Sequence, residues 1–182
     1  IVNNIKRNYN DPIDGIDNDN DGYIDNFTGW DTGGNDNDTE VTGQHGLKVA
    51  SCAAAVTDNG THVAGVGFNC KILPVKISNN SGVLMDGYAG VKYAADHGAS
   101  VINCSWGTTY HTQYGQDIIN YATNNKGAVV IAAAGNSAAS TYLYPASFEN
   151  VLSVGGVNSK DEIWRENSTK GSQYNDKIDL VA

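Results

Sequence analysis

The sequence predicts an α/β domain, a three-layer sandwich on a mainly parallel sheet, and three observations carry that prediction. Beyond residue 44, short apolar runs alternate with stretches of helical periodicity about a dozen residues long. One run, Ala128-Val-Val-Ile-Ala-Ala-Ala134, is apolar at every position, as expected of a strand covered on both faces. The stretches between runs are long enough for the crossovers that parallel strands require. At 182 residues the chain is long enough for one ordinary domain with a core of its own.

The elements follow in order. Val49, Cys52, Ala53 and Val56 recur at helical spacing and predict a helix from about His45 to Val56 with that stripe inward. Lys71 to Ile77 reads as a short strand. Leu84, Tyr88, Val91 and Ala95 stripe a second helix that stops near Gly98, and Ser100 to Cys104 is apolar over the length of a strand. Tyr114, Ile118 and Tyr121 mark a third helix ending near Gly127, ahead of the strand Ala128 to Ala134. Ligands of such sheets bind outside the carboxyl ends of the strands, so the residues just after Cys104 and Ala134 are candidates for a site.

Charge is distributed unevenly. Residues 1–40 carry a net charge of −8 and residues 41–182 only −1. The expected organisation is one domain with an acidic segment, 1–40, and an α/β core, 41–182. The acidic segment is too poor in apolar residues to form a core and must be ordered by something else. The total of −9 would repel a phosphate backbone, which argues against nucleic acid as a partner. No apolar stretch approaches the roughly 20 residues of a membrane span, and no charged-then-apolar leader opens the chain, so neither is expected. Three cysteines cannot all pair within one chain and none has C-x-x-C spacing. Cys52 and Cys104, among apolar neighbours, read as buried free thiols.

Within the acidic segment, Asp17-Asn-Asp19-Asn-Asp21-Gly22-Tyr23-Ile24-Asp25 matches the first nine positions of an EF-hand loop. Carboxylates of Asp17, Asp19 and Asp21, the Tyr23 carbonyl and Asp25 are the candidate ligands, and Ca2+ the expected ion. Three alternating acids on an open loop repel one another unless a hard cation neutralises them. Thr28 stands where the loop's bidentate glutamate belongs, leaving Asp14, Asp25 or Asp31 to compensate.

His45-Gly-Leu-Lys-Val-Ala50, followed by Val63-Ala-Gly-Val66 and Lys71-Ile-Leu-Pro-Val-Lys76, resembles the catalytic-histidine segment of the subtilisin-like serine peptidases, the subtilases. Gly98-Ala-Ser-Val-Ile-Asn-Cys-Ser-Trp-Gly107, Val129-Val-Ile-Ala-Ala-Ala-Gly-Asn136, Tyr144-Pro-Ala-Ser147 with Val151-Leu-Ser-Val-Gly155, and Ile178-Asp-Leu-Val-Ala182 are similar to the succeeding segments, in family order. The resemblance implies a subtilisin-like fold truncated at both ends, polypeptide substrates and an exported protein.

It also implies roles. His45 would be the general base, in the first turn of a helix whose positive end favours an imidazole able to accept a proton. Alone it reads as a helix-capping or surface histidine. Asn136 would donate its amide to the oxyanion of a tetrahedral intermediate, where alone it reads as a turn residue. Ser105, Trp106 and Gly107 with Ala134 and Gly135 would line the pocket for the side chain before the cleaved bond.

Asp31-Thr-Gly33 echoes the family's aspartate motif but follows the acidic loop, so Asp31 is expected to be a loop or calcium residue. His62 is expected in an exposed loop, and His97 and His111 match no motif. The family's serine lies in a Gly-Thr-Ser-x-Ala-like turn, which is absent from these 182 residues, and its aspartate is expected before residue 1. The chain alone is therefore expected to lack triad-dependent turnover. Leu47, Ser51 and Trp106 stand where threonine, glycine and leucine are usual. They leave as the alternative a catalytically degenerate, calcium-stabilised binding or adhesion module. Oligomeric state is not set by the sequence.

Overall fold

A computed structural model describes residues 2–40, 43–61, 63–79 and 81–182; His62 lies outside the described residues. The chain forms two compact units, Ile1–Tyr93 and Ala94–Ala182.

In the first unit the acidic segment is ordered by pairing with a later stretch. Strand β1 (Trp30–Asp31) runs parallel to β2 (Val75–Lys76), with Trp30 opposite Val75 and Asp31 opposite Lys76. An isolated parallel bridge joins Ile5 to Ile72, where the Ile72 amide donates to the Asn4 carbonyl at 2.7 Å. The predicted strand 71–77 is thus only two residues long. Pro74, with no amide to donate, interrupts the ladder, although its carbonyl accepts from Trp30 at 3.3 Å. Tyr23 packs edge-on against Trp30 and Tyr93, with ring centroids 5.1 and 4.9 Å away.

Helix α1 (His45–Ala54) begins where the sequence predicted and ends slightly earlier, as Ala55 turns extended. Its buried side differs from the predicted stripe. Ala54 and Ala55 are buried, Val49 and Val56 half-buried, and Cys52 and Ala53 exposed. The cause is a backbone approach: amides of Gly65, Val66 and Gly67 donate to the carbonyls of Ala55, Cys52 and Ala53 at 3.2, 3.0 and 2.8 Å. A Cβ on Gly65 would collide with Ala55 N and lie 2.6 Å from Ala54 Cα, so the last turn of α1 is met by bare backbone. Of the cysteines, Cys52 and Cys70 are exposed, and only Cys104 is the buried thiol expected.

Helix α2 (Gly87–Asp96) starts after Leu84 because the Asp86 carboxylate accepts from the Ala89 amide at 2.9 Å and caps it. Leu84 instead bridges to Ser78. The helix closes at Gly98, whose φ of +72° suits glycine.

The second unit is a four-stranded parallel sheet in the order β3 (Val101–Cys104), β4 (Val129–Ala133), β5 (Val151–Gly155), β6 (Leu180–Val181). The β3 to β4 crossover is α3 (Gln113–Asn120), capped by the Thr112 hydroxyl accepting from Gly115 at 3.1 Å, and continued by one π-helical turn, Tyr121–Asn125. Burial in β3 and β4 alternates: Ile102, Cys104, Val130 and Ala132 are buried, whereas Val101, Asn103, Val129 and Ala133 are exposed. Register places Cys104 opposite Ala132, so the chain leaves β3 and β4 at adjacent positions. The architecture is the α/β, parallel-sheet arrangement expected from the sequence.

Candidate active site

His45 is the first residue of α1 and is exposed. Gln44 before it makes no side-chain cap, so the opening amides of the helix have no side-chain acceptor from that position. Leu47, an exposed residue, gives its carbonyl to the Ser51 hydroxyl at 2.7 Å.

The other candidates for peptide chemistry belong to the second unit. β3 ends at Cys104, whose thiol burial pushes up to about 12 and so keeps protonated and inert. The chain then runs through Ser105, whose hydroxyl accepts from Asn103 Nδ2 at 2.9 Å, then Trp106 and the exposed Gly107. Thr108 and Tyr144 exchange both backbone hydrogen bonds, at 2.9 and 2.8 Å, and tie this segment to residues 143–147.

β4 leads into buried Ala134, then Gly135 at φ +115°, then Asn136. A clamp holds this turn. Gln173, almost wholly buried, donates its amide to the Gly135 carbonyl at 3.0 Å, accepts from Ser137 N at 2.7 Å and donates from Nε2 to Thr141 at 2.9 Å. Gly171 adds bonds with the Asn136 carbonyl and the Ala138 amide. The Asn136 side chain is exposed and makes no hydrogen bond among the described residues, so its N–H groups are free to donate. Sequence reasoning missed Gln173; a glutamine in a loop gives no periodic signal of such a role.

In the acidic loop, Asp17 and Asp19 are joined by Asp11, one carboxylate oxygen of each lying within 4.8 Å of the others. Asp11 was also missed. Its carboxylate is wholly buried and accepts from the amides of Asn18 and Asn26 at 2.9 and 2.8 Å. No ion pair with a cationic side chain relieves these three acids among the described residues. Asp17 accepts from the amides of Asp21 and Gly22, and Asp21 from the Tyr23 amide and Asn26 Nδ2. Asp25 turns to the amides of Asp14 and Gly15.

Asp31, expected in a loop, is a strand residue. It ends β1, buried, with its carboxylate 2.8 Å from the Lys76 ammonium, and accepts from the amides of Gly33 and Gly34 at 2.8 and 2.9 Å. Burial would raise this carboxyl, but the Lys76 hydrogen bond and the Gly34 and Gly33 amides outweigh it and hold it below its ordinary value. Lys76 is held above its own, chiefly by the same bond. The His111 ring packs edge-on against Tyr144 and Phe148, with centroids 5.0 and 5.3 Å away, in a structural aromatic cluster.

The subtilase family model matches residues 3–182. The chain belongs to the subtilase family. It is 44% identical over 156 residues to the thermophilic serine proteinase of Bacillus sp. (strain AK1), covering 85% of this chain and 37% of that protein. To thermitase of Thermoactinomyces vulgaris it is 38% identical, covering 85% of this chain and 54% of that protein. Among solved structures, the psychrophilic subtilisin-like protease Apa1 of the Antarctic psychrotroph Pseudoalteromonas sp. AS-11 aligns with a TM-score of 0.64 at 33% identity, over 73% of this chain and 30% of that one. The chain thus spans about a third to a half of the relatives it matches, and its α/β fold is subtilisin-like. No helix among the described residues is long and apolar enough to cross a membrane.

Proposed function

We propose that this chain carries part of the catalytic apparatus of a subtilisin-like serine endopeptidase acting on polypeptides outside the cell. The observation that carries the reading is Asn136: in a chain belonging to the subtilases, an uncommitted carboxamide stands just past the carboxyl end of β4 on a turn clamped by residues 171–173. Such a donor costs no reorganisation when the carbonyl oxygen of a scissile bond becomes negative. His45 takes the proton of the attacking hydroxyl and returns it to the leaving amine. Extended backbone around Ser105 to Gly107 pairs with the substrate strand, and Ser105, Trp106, Gly107, Ala134 and Gly135 wall the pocket for the residue before the cleaved bond. No residue of this chain is assigned the nucleophile or the triad aspartate.

Calcium is part of the same reading. The donors are all hard oxygens, and one, the Asp11 side chain, is wholly buried with no cationic partner among the described residues. Two such charges at 4.8 Å repel by about 1 kcal/mol in bulk water and ~3–4 kcal/mol at an effective dielectric constant of 20. Asp11, Asp17 and Asp19 would hold the ion, with Asp21, the Tyr23 carbonyl and Asp25 as the other candidate ligands. Bound calcium supplies charge neutralisation that fixes the loop and takes no part in peptide hydrolysis.

The test is turnover of a casein or peptide substrate by the full-length product of the gene. Hydrolysis abolished by His45→Ala and by a serine-directed inhibitor supports the reading. A folded, calcium-loaded full-length protein that hydrolyses nothing would instead favour the degenerate binding module.

A further inference from the structure

We propose that Leu143 plugs the pocket between the segments leaving β3 and β4, restricting this peptidase to small side chains, glycine, alanine or serine, immediately before the cleaved bond. The inference rests on the reading just given and narrows its substrate class.

The geometry lies within the second unit. Gly107 and Gly135 are the two expected pocket residues without side chains, and one isobutyl group lies against both. A Cβ built on Gly135 would collide with Leu143 Cδ1; one built on Gly107 would sit 3.5 Å from Leu143 Cβ and 3.7 Å from Cδ1. At Gly135 no carbon fits against Leu143, whereas the Gly107 distances are ordinary van der Waals contact, so one methyl carbon fills the gap between Gly107 and the leucine. The leucine is held by its backbone. Thr108 and Tyr144 exchange both hydrogen bonds beside it, and its own carbonyl accepts from Ser147 N at 2.8 Å. On the same side of Gly135 the buried Gln173 also crowds the space, its Cδ 3.0 Å from the position of a Gly135 Cβ. A methyl group entering between residues 105–107 and 134–136 meets the half-buried leucine as a floor. A benzyl group has to displace it.

A single methylene of misfit in an apolar pocket changes kcat/KM by roughly 10- to 200-fold. The experiment compares two peptides, identical but for alanine or phenylalanine before the cleaved bond, on the full-length protein, its Leu143→Ala and Leu143→Gly variants, and the volume-conserving Leu143→Ile. The wild type and Leu143→Ile are expected to favour alanine by at least about 10-fold, and the two truncations to move the ratio at least about 10-fold toward phenylalanine. A wild type that favours phenylalanine, or a ratio unmoved in variants that keep the wild-type circular dichroism spectrum, overturns the proposal. Calorimetric binding of the two product acids, ending in alanine or phenylalanine, reads the same pocket without turnover. Absence of hydrolysis with a preserved preference for the alanine acid defeats the peptidase reading and keeps the pocket. Equal or absent binding of both acids defeats the pocket.

Discussion

Replacing Asp31 by asparagine should destabilise the protein severely, and the structure says by how much and why. The Asp31 and Lys76 side chains are only 5% and 6% exposed, so solvent screens their 2.8 Å contact little. Asparagine keeps an oxygen for the Gly33 and Gly34 amides but puts an NH2 where the second carboxylate oxygen accepted from Lys76, stranding that ammonium in the interior. Breaking a buried pair by removing one partner costs ~3–5 kcal/mol, because the survivor stays desolvated. For a chain of this size that lowers Tm by roughly 6–20 °C. Replacing both partners, as Asp31→Asn with Lys76→Met, leaves no unpaired charge and should recover most of the loss.

The assay is chemical denaturation of the single and double variants at pH 7 with a folding check by circular dichroism. The pH dependence follows in sign. The folded Asp31 carboxyl lies below its unfolded value of about 3.9, so its contribution is complete above that value and is lost as pH falls through the folded one. A single-variant loss under about 1 kcal/mol, or a double variant no better than the single, would refute the argument that burial gives this pair its weight.

Calcium at about 100 times its dissociation constant should stabilise the fold by ~2.7 kcal/mol relative to chelator, and Asp11→Asn should abolish most of that increment; an unchanged Tm between chelator and millimolar calcium would sink the site. Gly65→Ala should cost ~2–3 kcal/mol through its collision with the end of α1, whereas Gly46→Ala, with nothing near its Cβ, should stabilise the helix by ~0.5–1 kcal/mol; urea titration ranks the two. In the full-length enzyme, Asn136→Ala should lower kcat by roughly 100- to 1000-fold with little change in KM, a magnitude carried over from the corresponding donor of subtilisin.

Much of the fold was legible because the elements that matter are locally self-consistent. β3, β4 and α1 each announce themselves by an apolar run or a helical stripe ending at a glycine or a polar turn. What periodicity could not give is which face a neighbour covers: Cys52 and Ala53 share the stripe of α1, yet the approach of Gly65 to Gly67 buries Ala54 instead. β1 escaped notice because it is two residues long and one of them is a carboxylate. Its burial makes sense only with Lys76, 45 positions on, a pairing no local window contains. The same holds for the sites. Asp17 and Asp19 stand out as a loop motif, but Asp11 joins them only through the fold. Gly107, Gly135 and Asn136 were marked by their positions after strands, whereas Leu143 and Gln173 reach the site from segments with no period at all.

The most direct test is a crystal structure of the full-length protein trapped with a peptide boronic acid, which mimics the tetrahedral intermediate. The prediction is an Asn136 Nδ2 at about 2.7–3.1 Å from the oxygen standing for the oxyanion, with the His45 imidazole on the same adduct. An adduct that forms while either side chain points away from it would contradict the assignment of base and oxyanion donor.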